Sequence, residues 1–312
     1  MTEFGFIDNI KKAFADIPAH GFEGIGDDCA VLPLGDGTSL VFTTDVLVEG
    51  VHFLRTGASA AEIGRKSLAV NLSDVAAMGA QPVASLLSLA LSEDAAGEWA
   101  AEFMNGYREL SGRYGVPLVG GDTSRSGSGV TVNVTAIGRV HSECVKRRSA
   151  ARTGDIVAVG GRLGASAEGL RDILAGRYDT EYAAIHKNPT PQIAEGVWLG
   201  SRTEVHAMMD LSDGLASDLG HILKASGVGA VVDTERIPAV TDLHTAVCGG
   251  EDYKLLFTVS RDDFGRLASD FREKFGYEPF AVGEIVASEE CSVEWRENNK
   301  RITPDWHGFS HF

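Results

Sequence analysis

The sequence predicts a two-domain protein of mixed α/β (α+β) class. Three observations lead there. Apolar runs of strand length alternate with longer amphipathic stretches along the 312 residues. The strand–helix–strand order occurs twice, on either side of a basic, turn-like segment, RRSAARTGD at 147–155. Hydrophobic residues make up 44% of the chain, enough to bury a sizeable core in each of two units. The boundary is set at 147, giving units 1–146 and 147–312. No residue-level repeat relates them.

The elements follow in order. Residues 38–53 read as two strands around a turn, TSLVFTTD and then VLVEGVHF. ASAAEIGRKSLAVNLSDVAAMGA reads as a helix of about five turns. Ser59 and Glu62 form its capping box and Gly79 its stop. PVASLLSLAL reads as a buried strand, EDAAGEWAAEFMNGYRELSGRYG as an amphipathic helix stopped near Gly115, and VPLVGG as a strand. VTVNVTAIGRV alternates and adds another. In the second unit DIVAVGG, HAMMD, AVVDTE and YKLLFTVS are strands, while ASAEGLRDIL, LASDLGHILKASG and DDFGRLASDFREKFG are helices. The tail closes with a hairpin, CSVEWRENNKRIT, whose Asn-Asn turn suits positive φ.

Charge and cysteine usage narrow the function. With 28 Lys and Arg against 44 Asp and Glu, the formal charge is −16, which argues against nucleic acid or an anionic membrane as partner. The longest apolar stretch, VASLLSLAL, is too short to span a bilayer. MTEFGFIDNIKKAF lacks the apolar core of a signal peptide, and Cys29, Cys144, Cys248 and Cys291 are scattered without metal spacing. Reduced thiols in the cytoplasm are the expectation. There is no GxxxxGK[ST], no HRD with DFG, no GxSxG, no HExxH and no EF-hand loop.

Aspartates carry the chemistry. Asp27 and Asp28 in GIGDDCAVL, Asp45 in LVFTTD, Asp74 in AVNLSD, Asp122 in VPLVGGD, Asp210 and Asp213 in MMDLSD, and Asp252 in GGEDY mostly follow apolar runs. A single Asp at such a place is often a cap or turn residue. Many at strand ends are expensive to desolvate unless cations meet them, which points to several hard divalent ions holding phosphates. Glycines cluster beside them in GIGDD, GGDTSRSGSG, SDGL and GGED, where backbone N–H groups can approach phosphate oxygens. Basic residues nearby are few: Lys66, Arg125, Arg147 and Arg148. His52 reads as half-buried, and Trp306 and Phe309 as tail packing or cover for a flat heterocycle.

Taken together, GIGDDCAVL, TTDVLVEGVHF, LAVNLSDVAAMGAQP, GGDTSR, RRSAARTGD, MDLSDGLASDLGHI, GGEDYKLLF and DWHGFSHF resemble the thiamine-monophosphate kinase family, within the superfamily typified by aminoimidazole ribonucleotide synthetase. The resemblance implies ATP-dependent phosphorylation of thiamine monophosphate, with several Mg²⁺ ions and ATP as co-substrate. It implies a homodimer in which two N-terminal sheets join as a barrel, and a C-terminal α/β, sandwich-like domain that closes the site. It also implies roles. Asp28, Thr43, Thr44, Asp45, Asp74, Asp122, Asp210 and Asp213 would hold metal; Gly121, Asp122, Arg148 and Ser212 the nucleotide; His52, Glu251 and Trp306 the acceptor. No general base is implied. Ser124 departs from the family's usual second Thr in GGDTT. Two alternatives stand beside this reading. One is another ATP-dependent enzyme of the superfamily, such as a selenophosphate synthase, which would want a reactive Cys where the buried-looking Cys29 stands. The other is a non-catalytic Mg·nucleotide-binding protein.

Overall fold

The computed structural model describes residues 3–309. The first unit runs α1 (Glu3–Ala13), β1 (Ala30–Pro33), β2 (Thr38–Val48), α2 (Ala60–Ala77), β3 (Gln81–Leu91), α3 (Glu98–Tyr114), β4 (Leu118–Arg125) and β5 (Thr131–His141). Its five strands form one open sheet in the order β1-β2-β5-β3-β4. The expected turn near Asp45 does not form. TSLVFTTDVLV contains no Gly, Pro or Asn to bend it, and β2 runs straight through. It pairs antiparallel with β5 without a break, from Thr38 opposite His141 to Val48 opposite Thr131. α3 begins at Glu98 rather than near Glu93, because Ser92 Oγ donates to Asp94 (2.6 Å) in a local turn ahead of Gly97. β3, expected to be buried, alternates, and Val83 and Leu86 remain exposed on its outer face.

α2 is the hub. Its capping box is formed as expected, with the Ser59 hydroxyl accepting from Glu62 N–H (3.2 Å) and the Glu62 carboxylate accepting from Ser59 N–H (2.8 Å). Buried residues occur around its whole circumference. One side lies on β2 and β5, another on α3. The crossing with α3 is very close. A Cβ on Gly106 would sit 1.9 Å from Ala61 O, and one on Gly64 2.1 Å from Phe103 O.

The second unit runs β6 (Ile156–Val159), α4 (Ala165–Leu174), α5 (Glu181–Lys187), α6 (Ile193–Gly200), β7 (Val205–Asp210), α7 (Leu215–Ser226), β8 (Gly229–Asp233), α8 (Leu243–Cys248), β9 (Leu255–Val259), α9 (Arg261–Phe275), β10 (Phe280–Val286), β11 (Val293–Glu297) and β12 (Lys300–Ile302). Its seven strands order as β12-β11-β8-β10-β6-β9-β7. The closing hairpin is as read, with Asn298 and Asn299 at φ 49° and 60°. α2 also packs against α6 and β7, so one apolar core runs from the first sheet into the second unit. This brings the end of β7, the last turn of α2 and the middle of β2 to one cleft. No described helix is long and apolar enough to cross a membrane.

Candidate active site

Three carboxylates meet in that cleft. Asp28 comes from the loop before β1, Asp74 from α2 and Asp210 from the end of β7, and their oxygens lie within 4.8 Å of one another. Asp45 joins them because it shares the inward side of β2 with Thr43 and Leu47. Burial and crowding make ionisation hard. Burial, then Asp28, pushes Asp45 up to about 6 and Asp210 up to about 8. Burial, then Asp45, Asp210 and Asp28, holds Asp74 well above the usual carboxylate range, against a 2.5 Å bond from the Thr43 hydroxyl. Asp27 is raised to about 7 by burial and Asp28. The Ser73 hydroxyl donates to Asp210 (2.5 Å).

Among the described residues a single cation answers this charge. Arg148 Nη2 is 2.7 Å from Asp28, and the Arg148 backbone N–H donates to Asp27 (3.2 Å). One guanidinium against Asp27, Asp28, Asp45, Asp74 and Asp210 leaves a cluster of hard oxygen donors undercompensated. That donor set fits a hard divalent cation such as Mg²⁺. A second group, Asp213, Asp218 and His221, lies at the start of α7, also within 4.8 Å. Asp218 was not singled out in the sequence, although its spacing in SDGLASD puts it on the first turn of a helix. It accepts from the N–H groups of Asp213 (3.1 Å) and Gly214 (3.0 Å) and so shapes the Asp213 loop.

Other named residues stand apart. Thr44 points to the opposite side of β2 from Thr43, its hydroxyl donating to Val134 O (3.1 Å). Asp122 and Gly121 lie within β4, whose eight residues are all exposed, and not at a strand end. Gly121 has a packing reason: a Cβ there would be 1.8 Å from Leu87 O. Asp252 behaves as a cap, accepting from Gly164 N–H (2.6 Å) and Ser166 N–H (3.2 Å) at the start of α4. Arg147 pairs with Glu23 (2.7 Å), and Arg125 lies 3.8 Å from the exposed Glu93.

Beside the cluster lies a cavity of about 250 Å³ whose wall includes Asp45, His52, Ser212, Asp213, Glu251 and Phe309. His52 Nδ1 accepts from Val48 N–H (3.0 Å), which fixes its ring. Glu251 adopts φ 64° and donates its N–H to Ser212 O (2.7 Å). Trp306 is not on this wall. It packs edge-on against Trp295, 4.9 Å between centroids, over the second core. Phe309 takes the place at the cavity, tied down by its N–H donating to Asp213 O (3.0 Å). The last three residues of the closing motif, at 310–312, lie outside the described residues.

Two sheets joined through α2, with an acidic cleft between them, define a two-domain enzyme of the AIR synthase-related class. Residues 26–140 match the family model described as "AIR synthase related protein, N-terminal domain", and 153–296 its C-terminal counterpart. The chain is 37% identical to the thiamine-monophosphate kinase of Salmonella typhimurium, covering 98% of this chain and 96% of that one. It is 35% identical to that of Buchnera aphidicola from Acyrthosiphon pisum, covering 100% and 99%. The solved structure of AaThiL complexed with AMPPCP and TMP superposes with a TM-score of 0.86 at 31% identity, covering 100% of this chain and 97% of that one. The chain belongs to the thiamine-monophosphate kinase family.

Proposed function

We propose that this chain moves the γ-phosphoryl group of ATP directly onto thiamine monophosphate, forming thiamine diphosphate. The observation that carries the reading is the meeting of Asp28, Asp74 and Asp210 within 4.8 Å, next to a cavity walled by Asp45, Ser212 and Glu251. The names of its relatives and the two ligands of its structural neighbour support the same reading. The acceptor oxygen is a phosphate oxygen and is already ionised, so no residue is assigned as general base. What remains is to bring two polyanions into line and to offset their repulsion. When bound, Mg²⁺ would supply charge neutralisation and a template for the two phosphates.

In this proposal Asp28, Asp45, Asp74, Asp210 and Asp213 hold the ions, and Thr43 and Asp122 complete the set; Thr44, on the other side of β2, is left out of it. Gly121, Asp122, Arg148 and Ser212 hold the nucleotide. His52 and Glu251 meet the acceptor; Trp306, packed on Trp295, stands off the cavity, where Phe309 takes its place. The unit boundary at 147, a homodimer joined through the first sheets and a cytoplasmic setting belong to the same proposal; the four cysteines, none in a disulfide, suit that setting. The test is turnover with Mg·ATP and either thiamine monophosphate or thiamine, scored for ADP and phosphorylated product. Thiamine diphosphate matching ADP is expected from the monophosphate, with little product from thiamine, which brings no anion to the cage. Efficient phosphorylation of thiamine, or no ADP with either, would overturn the assignment.

A further inference from the structure

One buried cation has no part in that scheme. Lys66, on α2, is 3% exposed. Its ammonium lies 2.8 Å from Glu251 Oε1, with His52 O and His186 Nε2 each at 3.4 Å. His186, on α5, is also buried. Its Nδ1 lies 2.9 Å from Ser166 Oγ and 3.4 Å from Glu251 Oε2. An ammonium only donates, so Nε2 must accept and the proton sits on Nδ1. Burial, then Lys66, pushes His186 down to about 4, so the ring is neutral near pH 7. The group therefore holds one positive and one negative charge, joined by a neutral donor.

Glu251 is where these contacts end. It lies on the wall of the 250 Å³ cavity and of a second, mostly apolar cavity of about 200 Å³. Its backbone is held at φ 64°, a region a non-glycine residue keeps only when its surroundings enforce it. Those surroundings come from both units: Lys66 from the first, His186 and Ser212 from the second. We propose that Lys66 and His186 are positioning residues that hold the Glu251 carboxylate at the junction of the two cavities, so that acceptor affinity depends on an ion pair spanning the two units. The inference rests on Glu251 being an acceptor contact. Lys66 acts through Glu251, not as a phosphate ligand, because its ammonium is already committed.

The experiment compares wild type, Lys66→Met, Glu251→Gln and the double variant by separate KM and kcat measurements for both substrates. Lys66→Met is expected to raise the KM for thiamine monophosphate about tenfold, with kcat and the KM for ATP within about twofold, the scale of one lost charged hydrogen bond. Glu251→Gln should do the same, and the double variant should be no worse than either alone, since both remove one interaction. Lys66→Met should also melt lower, with the loss recovered in the double variant, where no uncompensated buried charge remains. A Lys66→Met enzyme with unchanged acceptor KM, an equal rise in KM for ATP, or effects that multiply in the double variant would overturn the proposal. If Lys66→Met does not fold, the double variant against Glu251→Gln alone decides: a further rise in acceptor KM refutes it, equality supports it. Absence of turnover in wild type would instead remove the functional assignment.

Discussion

Asp242 and Asp74 show the two fates of an aspartate in this chain. Asp242 accepts from Thr245 N–H (2.8 Å) at the start of α8 and its carboxyl is held below the usual range by Thr245. Asp74 sits buried among other carboxylates and is pushed the opposite way. A cap stabilises the fold, whereas a buried cluster strains it until a cation arrives. Asp45→Asn, Asp74→Asn and Asp122→Asn should each reduce turnover by roughly 10²-fold or more, if each loses a metal ligand. Their melting should separate them. Without metal, Asp74→Asn should melt higher than wild type because it relieves repulsion, while the exposed Asp122→Asn should melt unchanged. Full activity in all three at saturating Mg²⁺ would exclude the cage. The same groups set a pH dependence. Asp210, Asp27 and Asp45 stand at about 8, 7 and 6 in the fold, above the ordinary 3.8. Between those values the folded chain binds more protons than the unfolded one, so stability falls as pH rises. The metal-free melting temperature should drop from about pH 5 to about pH 8, and Mg²⁺ should remove most of the drop. A flat metal-free profile would contradict this.

Among the elements, α2 carries most of the consequence. It supplies Lys66, Asn71, Ser73 and Asp74, and Asn71 Oδ1 accepts from Asp45 N–H (3.1 Å), linking helix and strand. Its position depends on the glycine crossing with α3. Gly106→Ala should destabilise the protein by about 1–3 kcal/mol, because the added methyl must displace the Ala61 backbone. Urea unfolding would measure the loss, and kcat per folded molecule should survive it. A stability within error of wild type would mean the helices separate freely. β2 shows the same dependence on packing. TSLVFTTDVLV runs as one strand although an inward carboxylate at Asp45 breaks its apolar alternation. Its inward place is a property of the cleft, not of strand propensity.

At the scale of the molecule, the described residues cover the first sheet on one face only. α2 and α3 lie on its inner side, while Val46, Leu86 and Val119 stay exposed on β2, β3 and β4, Val119 at 60%. β4 is an edge strand with unpaired backbone groups along one side. An apolar face and a free edge are what a second copy would cover. Sedimentation at micromolar concentration should therefore give a dimer mass, and a monomer mass would count against the barrel. Such a partner would also end the exposure of Asp122 and Gly121.

The residues by themselves determined the local structure and the chemical type. The capping box at Ser59 and Glu62, the stop at Gly115, the Asn298–Asn299 turn and the Asp–Gly motifs each depend on neighbours a few positions away. Sequence reasoning therefore reached the two α/β units, most of their elements and the acidic character of the cleft. Helices α1, α5, α6 and α8 and strands β1 and β10 escaped it; apart from α1 they are runs of four to eight residues, which carry little periodicity. Only the tertiary structure decided which aspartates meet and which merely cap, that Thr43 faces the cleft while Thr44 faces away, that Phe309 and not Trp306 reaches the cavity, and that Lys66 is committed to Glu251. These choices depend on α2 being packed between two units, and contacts between residues far apart in the chain leave no local pattern to read.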